Sequence, residues 1–156
     1  MNHRIFIAES DNDYVEAKKI IIAYSKFLGV DLSFQNFSKE LEDLNVMYAF
    51  PTGGMVLAEV SGEVVGAVGL RHFSDGVAEM KRMFVVPEFQ GSGIGNSLII
   101  EFFAQAVNLG YKSVKLDTIP ELDGALSLYK KHGFLPIEAY RLNPHPNAIF
   151  MEKKIS

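Results

Sequence analysis

The chain has no cysteine and no tryptophan. Without cysteine there is no disulfide, no thiolate nucleophile and no zinc–sulfur site, so any chemistry rests on oxygen and nitrogen side chains or on the backbone. No apolar run approaches the ~20 residues that a membrane-spanning helix needs. Excess positive charge is also lacking. The formal net charge is −4 over 156 residues, which predicts neither a nucleic-acid nor a membrane partner. The apolar stretch after Met1-Asn2-His3-Arg4 is cut short by Glu9, too early for a secretory leader, so the expected location is cytoplasmic. The four histidines, His3, His72, His132 and His145, show no metal-ligand spacing, and no metal is expected. Repeats and linker-like tracts are missing as well. The length suits one domain over residues 1–156, with a core that needs no staples.

What the chain does have is a concentrated glycine turn. In Glu79-Met80-Lys81-Arg82-Met83-Phe84-Val85-Val86-Pro87-Glu88-Phe89-Gln90-Gly91-Ser92-Gly93-Ile94-Gly95, a β-type run stops at a proline and passes through the turn into an amphipathic helix. Such a junction leaves backbone N–H groups at a helix N-terminus without intrahelical acceptors. With the positive end of the helix dipole they suit a phosphate or pyrophosphate. Glycine lets such a ligand lie directly on the backbone. The turn lacks the Gly-Lys-Ser/Thr of a Walker loop, since Asn96-Ser97 stands there. Its Gly-x-Gly-x-Gly spacing, after an antiparallel meander, is also not a dinucleotide fingerprint. Ser92 lacks the spacing and the partners of a nucleophile elbow.

Around the turn, residues 4–8 read as a first strand, and Ala17, Ile20, Ile21, Tyr24, Phe27 and Leu28 mark a helix face closed by Gly29. Asp13 and Glu16 have capping-box spacing. A second helix is expected over Ser38–Leu44 and a loop over 45–54. Met55–Val60 and Glu63–Leu70 flank Ser61-Gly62 as a hairpin, and Val77–Val86 follows. Helices around Ile94–Val107 and Leu122–His132 alternate with strands at Lys112–Thr118, Phe134–Ile137 and Ala148–Lys153. The fold class is α+β: a mixed, mostly antiparallel central sheet of about six to seven strands with helices on both faces. Phe34, Phe37, Tyr48 and Phe50 suit either a core or a substrate mouth. His72 suits an acceptor pocket or the surface.

Gln90-x-x-Gly93-x-Gly95 after Val85-x-Pro87 closely resembles motif A of the GNAT superfamily of N-acetyltransferases. Ala125-x-x-Leu128-Tyr129-x-x-x-Gly133-Phe134 resembles its second signature, in the right order and at the right separation. The tail Tyr140-Arg141-Leu142-Asn143-Pro144-His145-Pro146 looks like a bacterial subgroup. The resemblance implies acetyl-coenzyme A as cosubstrate, with Gln90, Gly91, Ser92, Gly93, Ile94, Gly95 and Asn96 around its pyrophosphate and Met83, Phe84 and Val85 along its pantetheine arm. It implies a primary amine of a small molecule or peptide as acceptor, attacked in a ternary complex. Dimers are frequent in the superfamily, so a homodimer is a further expectation. By the same resemblance Tyr129 points its hydroxyl at the cofactor sulfur and Glu79 is the general base, with Asp117 its rival. Leu122 stands where many relatives carry an asparagine that contacts pantetheine. A non-catalytic acyl-coenzyme A-binding module of the same fold is the alternative.

Overall fold

Local turns build most of the sheet. In the computed structural model, which describes residues 2–29 and 36–155, β2 (Gly54–Val60) turns through Ser61-Gly62 into β3 (Glu63–Ser74). Both turn residues have positive φ, 51° and 82°, and that hand matches the twist of a hairpin. β3 runs past the expected Leu70 to Ser74, where a second tight turn leads into β4 (Val77–Val85). β1 (Arg4–Ile7) adds to the outer edge of β2. The long-range half is α4 (Ile94–Asn108), β5 (Ser113–Thr118), α5 (Asp123–Lys131), β6 (Leu135–Ile137) and β7 (Ile149–Lys154). The described strands form one seven-stranded sheet in the order β1-β2-β3-β4-β5-β7-β6. β4 and β5 pair in parallel and the other neighbours antiparallel. A parallel pair needs a crossover, which α4 supplies.

Each face of the sheet carries its own core. On one, Leu98, Ile99 and Phe102 of α4 pack on Val56, Val68, Met80 and Val114. On the other, Ala17, Ile20 and Ile21 of α1 (Asp11–Leu28) pack on Met55, Leu57 and Ala67. Burial of such side chains stabilises by about 1.5–3 kcal/mol each. The helices thus lie on both faces, as expected. Helix details differ. The capping box of α1 is formed by Ser10 and Asp13, not Asp13 and Glu16, because the helix begins one turn earlier and Asp13 reaches back to the amide of Ser10. The second helix divides into α2 (Phe37–Glu42) and α3 (Leu44–Met47), so the expected loop 45–54 begins as helix and ends as β2. Phe34 lies outside the described residues.

Two irregularities of β4 open space at its C-terminal end. First, its pairing with β5 covers only Val77–Glu79 against Ser113–Lys115. Beyond that point Met80–Val85 and Leu116–Thr118 diverge. Second, the register against β3 passes from Ala67↔Phe84 to Gly69↔Lys81, so Arg82 and Met83 together oppose Val68. This is a β-bulge, which bends a strand and increases its twist. Arg82 adopts φ 58° there, a conformation that costs a non-glycine residue roughly 1–2 kcal/mol.

Buried ion pairing offsets that strain. Arg82 donates to Glu40 of α2 at 2.9 and 3.0 Å, and Tyr48 donates its hydroxyl to the same carboxylate at 2.8 Å. All three residues are buried. Tyr48 reaches Glu40 only because Gly69 lacks a Cβ, which would stand 2.7 Å from the tyrosine ring. Of the aromatics left open by sequence, Tyr48 is therefore core, Phe37 lies beside the Arg82 guanidinium at 5.3 Å, and Phe50 is exposed.

Candidate active site

The glycine turn lies between the diverging end of β4 and α4. Gly91 and Gly93 have φ of 79° and 88°, and a Cβ on either would meet nothing within 4 Å. Glycine is therefore required by backbone conformation, and open space lies beyond it. Among the described residues, Ser97 N–H is the first to bond into the helix, to Gly93 O at 3.1 Å. Among the described residues, the N–H groups of Gly91 to Asn96 have no acceptor. A run of unmet donors at the positive end of a helix of this length is suited to an anion.

The side chains in this turn divide their roles. Gln90 donates through Nε2 to Val85 O at 2.8 Å, which ties the turn to the end of β4. Ser92 folds its hydroxyl back to Phe89 O. Ile94 is buried in the core, so only its backbone faces outward. Asn96 Oδ1 pairs with His132 Nε2 at 2.7 Å. Gly95 sits where a Cβ would lie 3.1 Å from Leu128, so its hydrogen lets α4 approach α5.

A cleft of about 350 Å³ opens beside this turn, along the end of β4 that no longer pairs with β5. Met83, Phe84 and Val85 form one wall, and Leu122 to Ala125 at the start of α5 form the other. Val86 N–H bonds Val65 O on the β3 side. Strand alternation then directs the Val85 N–H into the gap. The cleft also reaches Tyr24 and Phe27 of α1, whose rings lie 5.7 and 5.3 Å from Phe84. Sequence reading had them only as a helix face; their spacing of three residues was the signal available. Leu122, in place of an asparagine, presents an apolar side chain to the cleft.

Tyr129 is 6% exposed and meets the ring of Phe134 edge-on. Burial, then the charges of Tyr24 and Asp117, hold its phenol well above the ordinary range. Its hydroxyl has no protein partner among the described residues. The sealed, unpartnered side-chain polar atom there is Arg141 Nε, so the Tyr129 hydroxyl retains contact with solvent.

Two carboxylates stand near the divergence, both on the face opposite α4. Their strand neighbours Ala78, Met80, Val114 and Leu116 all point into the α4 core. Glu79 is 0% exposed. Tyr140 donates to its Oε2 at 2.8 Å and Arg141 to its Oε1 at 2.7 Å. Asp117 is half-buried, and Asn143 donates to its Oδ2 at 3.0 Å. Its Oδ1 has no partner among the described residues. Between these two lies buried Lys81, whose ammonium is pushed down to about 8 by burial and by the charge of Arg82. His72 is exposed and faces Tyr111 instead. No group of three or more acidic or histidine side chains among the described residues is placed to hold a metal, and no described helix is long and apolar enough to cross a membrane.

Comparison with known proteins shows the family and the fold. A family model described as "Acetyltransferase (GNAT) family" matches residues 23–134. An uncharacterised N-acetyltransferase of Schizosaccharomyces pombe is 36% identical over 99% of this chain and 96% of its own length. An IAA acetyltransferase of Azospirillum brasilense is 34% identical over 76% of this chain and 78% of its own. Among solved structures, a GNAT-family acetyltransferase of Staphylococcus aureus superposes with a TM-score of 0.82, covering 99% of this chain and all of that one at 21% identity. The fold is shared where the sequence has largely diverged.

Proposed function

The chain belongs to the GNAT family of acetyltransferases, and from that premise we propose that it transfers an acetyl group from acetyl-coenzyme A to a primary amine of a small molecule or peptide. Attack is direct, within a ternary complex. The observation that carries the reading is the joint placement of unmet N–H groups at Gly91–Asn96 and the β4–β5 gap beside them. A pyrophosphate on the first puts an extended amide-bearing arm along the second.

Each demand of acetyl transfer then has a group. An alkylammonium, with a pKa near ~10.4, must lose a proton before it can attack. Asp117 is the better-placed acceptor, since one of its oxygens is unengaged while both oxygens of Glu79 are occupied. A backbone N–H of Met83–Val85, in a water-poor gap, stabilises charge on the thioester oxygen. As the C–N bond forms and the C–S bond breaks, the Tyr129 hydroxyl donates to the departing sulfur. One nitrogen proton goes to Asp117 and on to solvent, and the other replaces the one Tyr129 gives up. The net products are amide, thiol and one proton.

Release of free thiol from acetyl-coenzyme A in the presence of an amine panel tests the reading. Amine-dependent release supports it. Coenzyme binding without release for any amine favours the binding-module alternative, to which the deep burial of Tyr129 lends its one support.

Cofactor placement has a separate test. At about 100 times its Kd, coenzyme A stabilises the fold by about 2.7 kcal/mol. For a chain of this size that raises Tm by roughly 5–11 °C. Gly93→Ala lowers the baseline through its positive φ and puts a methyl group into the open space beside the turn. The coenzyme-induced shift, measured against the variant's own baseline, should fall to near zero. A full shift in the variant would move the pyrophosphate elsewhere.

A further inference from the structure

Residues 138–148, between β6 and β7, form neither helix nor strand. Their side chains tie them to Glu79 and Asp117, which stand on the sheet face opposite α4. This strap engages, in chain order, three carboxylates, of which Glu121 lines the cleft. Tyr140 and Arg141 hold Glu79, Asn143 holds Asp117, and His145 Nε2 pairs with Glu121 Oε2 at 2.9 Å. The Tyr140 ring is wedged edge-on between Phe73 and Phe150, at 5.0 and 5.5 Å, and the Lys115 ammonium lies 5.3 Å from it. Tyr24 and Phe27 line the cleft, and the strap is joined to it through Glu121.

We propose that Glu79 is a positioning residue: it anchors the strap as the wall of the acceptor pocket and so sets acceptor affinity, while the proton goes to Asp117. The proposal rests on the acetyltransferase reading. A general base must lie within about 2.6–3.2 Å of the proton it takes, or one water away. Glu79 has no exposed surface and no spare oxygen in its present contacts. A substrate donor could reach it only by displacing Tyr140 or Arg141. The charged and titratable groups that face it are Arg71 across from β3, Lys115 across from β5, Lys81 along β4, Asp117, and Tyr140 and Arg141 of the strap. Cations outnumber Asp117 in that shell, so Glu79 serves as its counter-charge. The strap cannot close without it.

Two variants and one contrast decide the matter. Glu79→Gln removes the charge and keeps an acceptor for Tyr140; Tyr140→Phe removes only the hydroxyl. If Glu79 anchors the strap, its hydrogen-bonded amides, those of His145, Asn147 and Ala148, should exchange hydrogen roughly tenfold faster or more in both, since a hydrogen bond to a charged group is lost. With the best amine of the panel, both variants should raise acceptor KM roughly tenfold and leave the KM for acetyl-coenzyme A unchanged. Both should also keep the acid limb of the pH–rate profile where the wild type has it. Asp117→Asn should instead abolish that limb. The proposal is overturned if Glu79→Gln loses the limb, Tyr140→Phe behaves as wild type and strap exchange is unaltered. The exchange measurement needs no acceptor. If no amine is acetylated, the acetyltransferase reading falls by itself and the anchoring is still decided.

Discussion

Replacing Tyr129 by phenylalanine is expected to lower kcat by roughly 10²-fold or more, the range found for a positioned acid. The substitution keeps the ring, its edge contact with Phe134 and its place in the α4 core. It removes only a hydroxyl that has no protein partner, so the fold loses no hydrogen bond and Tm should move little. Coenzyme A affinity should also hold, because the phosphate donors belong to the glycine turn. A thioester with a more acidic thiol leaves with less help, so the defect should shrink with such a donor. A buried phenol held well above its ordinary range gives up a proton only to a strong base. The same water-poor gap raises the basicity of the departing thiolate as well, so the hydroxyl stabilises it by hydrogen bonding and passes its proton as the C–S bond breaks. Unchanged turnover with lowered Tm would make Tyr129 a core aromatic and leave the binding module as the better reading.

Much of this was legible in the sequence because local signals and tertiary outcome agree. Ser61-Gly62 dictates the β2–β3 hairpin, and Gly91 and Gly93 mark the turn by a backbone conformation that other residues avoid. Motif spacing brought Gln90–Gly95 and Tyr129 to one end of the sheet, which the β4–β5 crossover makes possible. Other features left no local trace. Nothing in Glu40, Tyr48 or Arg82 announces that they meet, since their contact spans 42 residues and depends on a missing Cβ at Gly69. The engagement of Glu79 by Tyr140 and Arg141 spans 61 and 62 residues. A carboxylate on this strand looks the same in sequence whether its oxygens are free or occupied. The period of Tyr24 and Phe27 marks only a helix face; pairing of β4 with β5 stops before Phe84, which they pack against, and that makes their part of the face a cleft wall.

Removal of the Glu40 carboxylate should produce the largest change in stability. Glu40→Ala leaves the Arg82 guanidinium buried without its counter-charge and Tyr48 without an acceptor. Breaking one side of a buried pair costs about 3–5 kcal/mol, or roughly 6–20 °C in Tm for a chain of this size. Function should fall with it. The Glu40–Arg82 pair holds Arg82 at φ 58° and hence the bulge that bends β4, so its release lets the strand straighten and narrows the gap. Coenzyme A should then bind more weakly, although no coenzyme-facing group has changed. The effect has a defined pH dependence. Burial pushes the Glu40 carboxyl up, but the hydrogen bonds and charge of Arg82, with the Tyr48 hydroxyl, bring the balance below its ordinary value. A carboxyl depressed in the folded state contributes stability above its unfolded pKa and loses it as pH falls through the folded one. The difference between wild type and Glu40→Ala should therefore be full at neutral pH and narrow as the solution is taken through and below the ordinary carboxylate range. Chemical denaturation from pH 7 down to pH 3 measures it. A difference that stays constant over that interval would show that Glu40 acts through its packing and not through its charge.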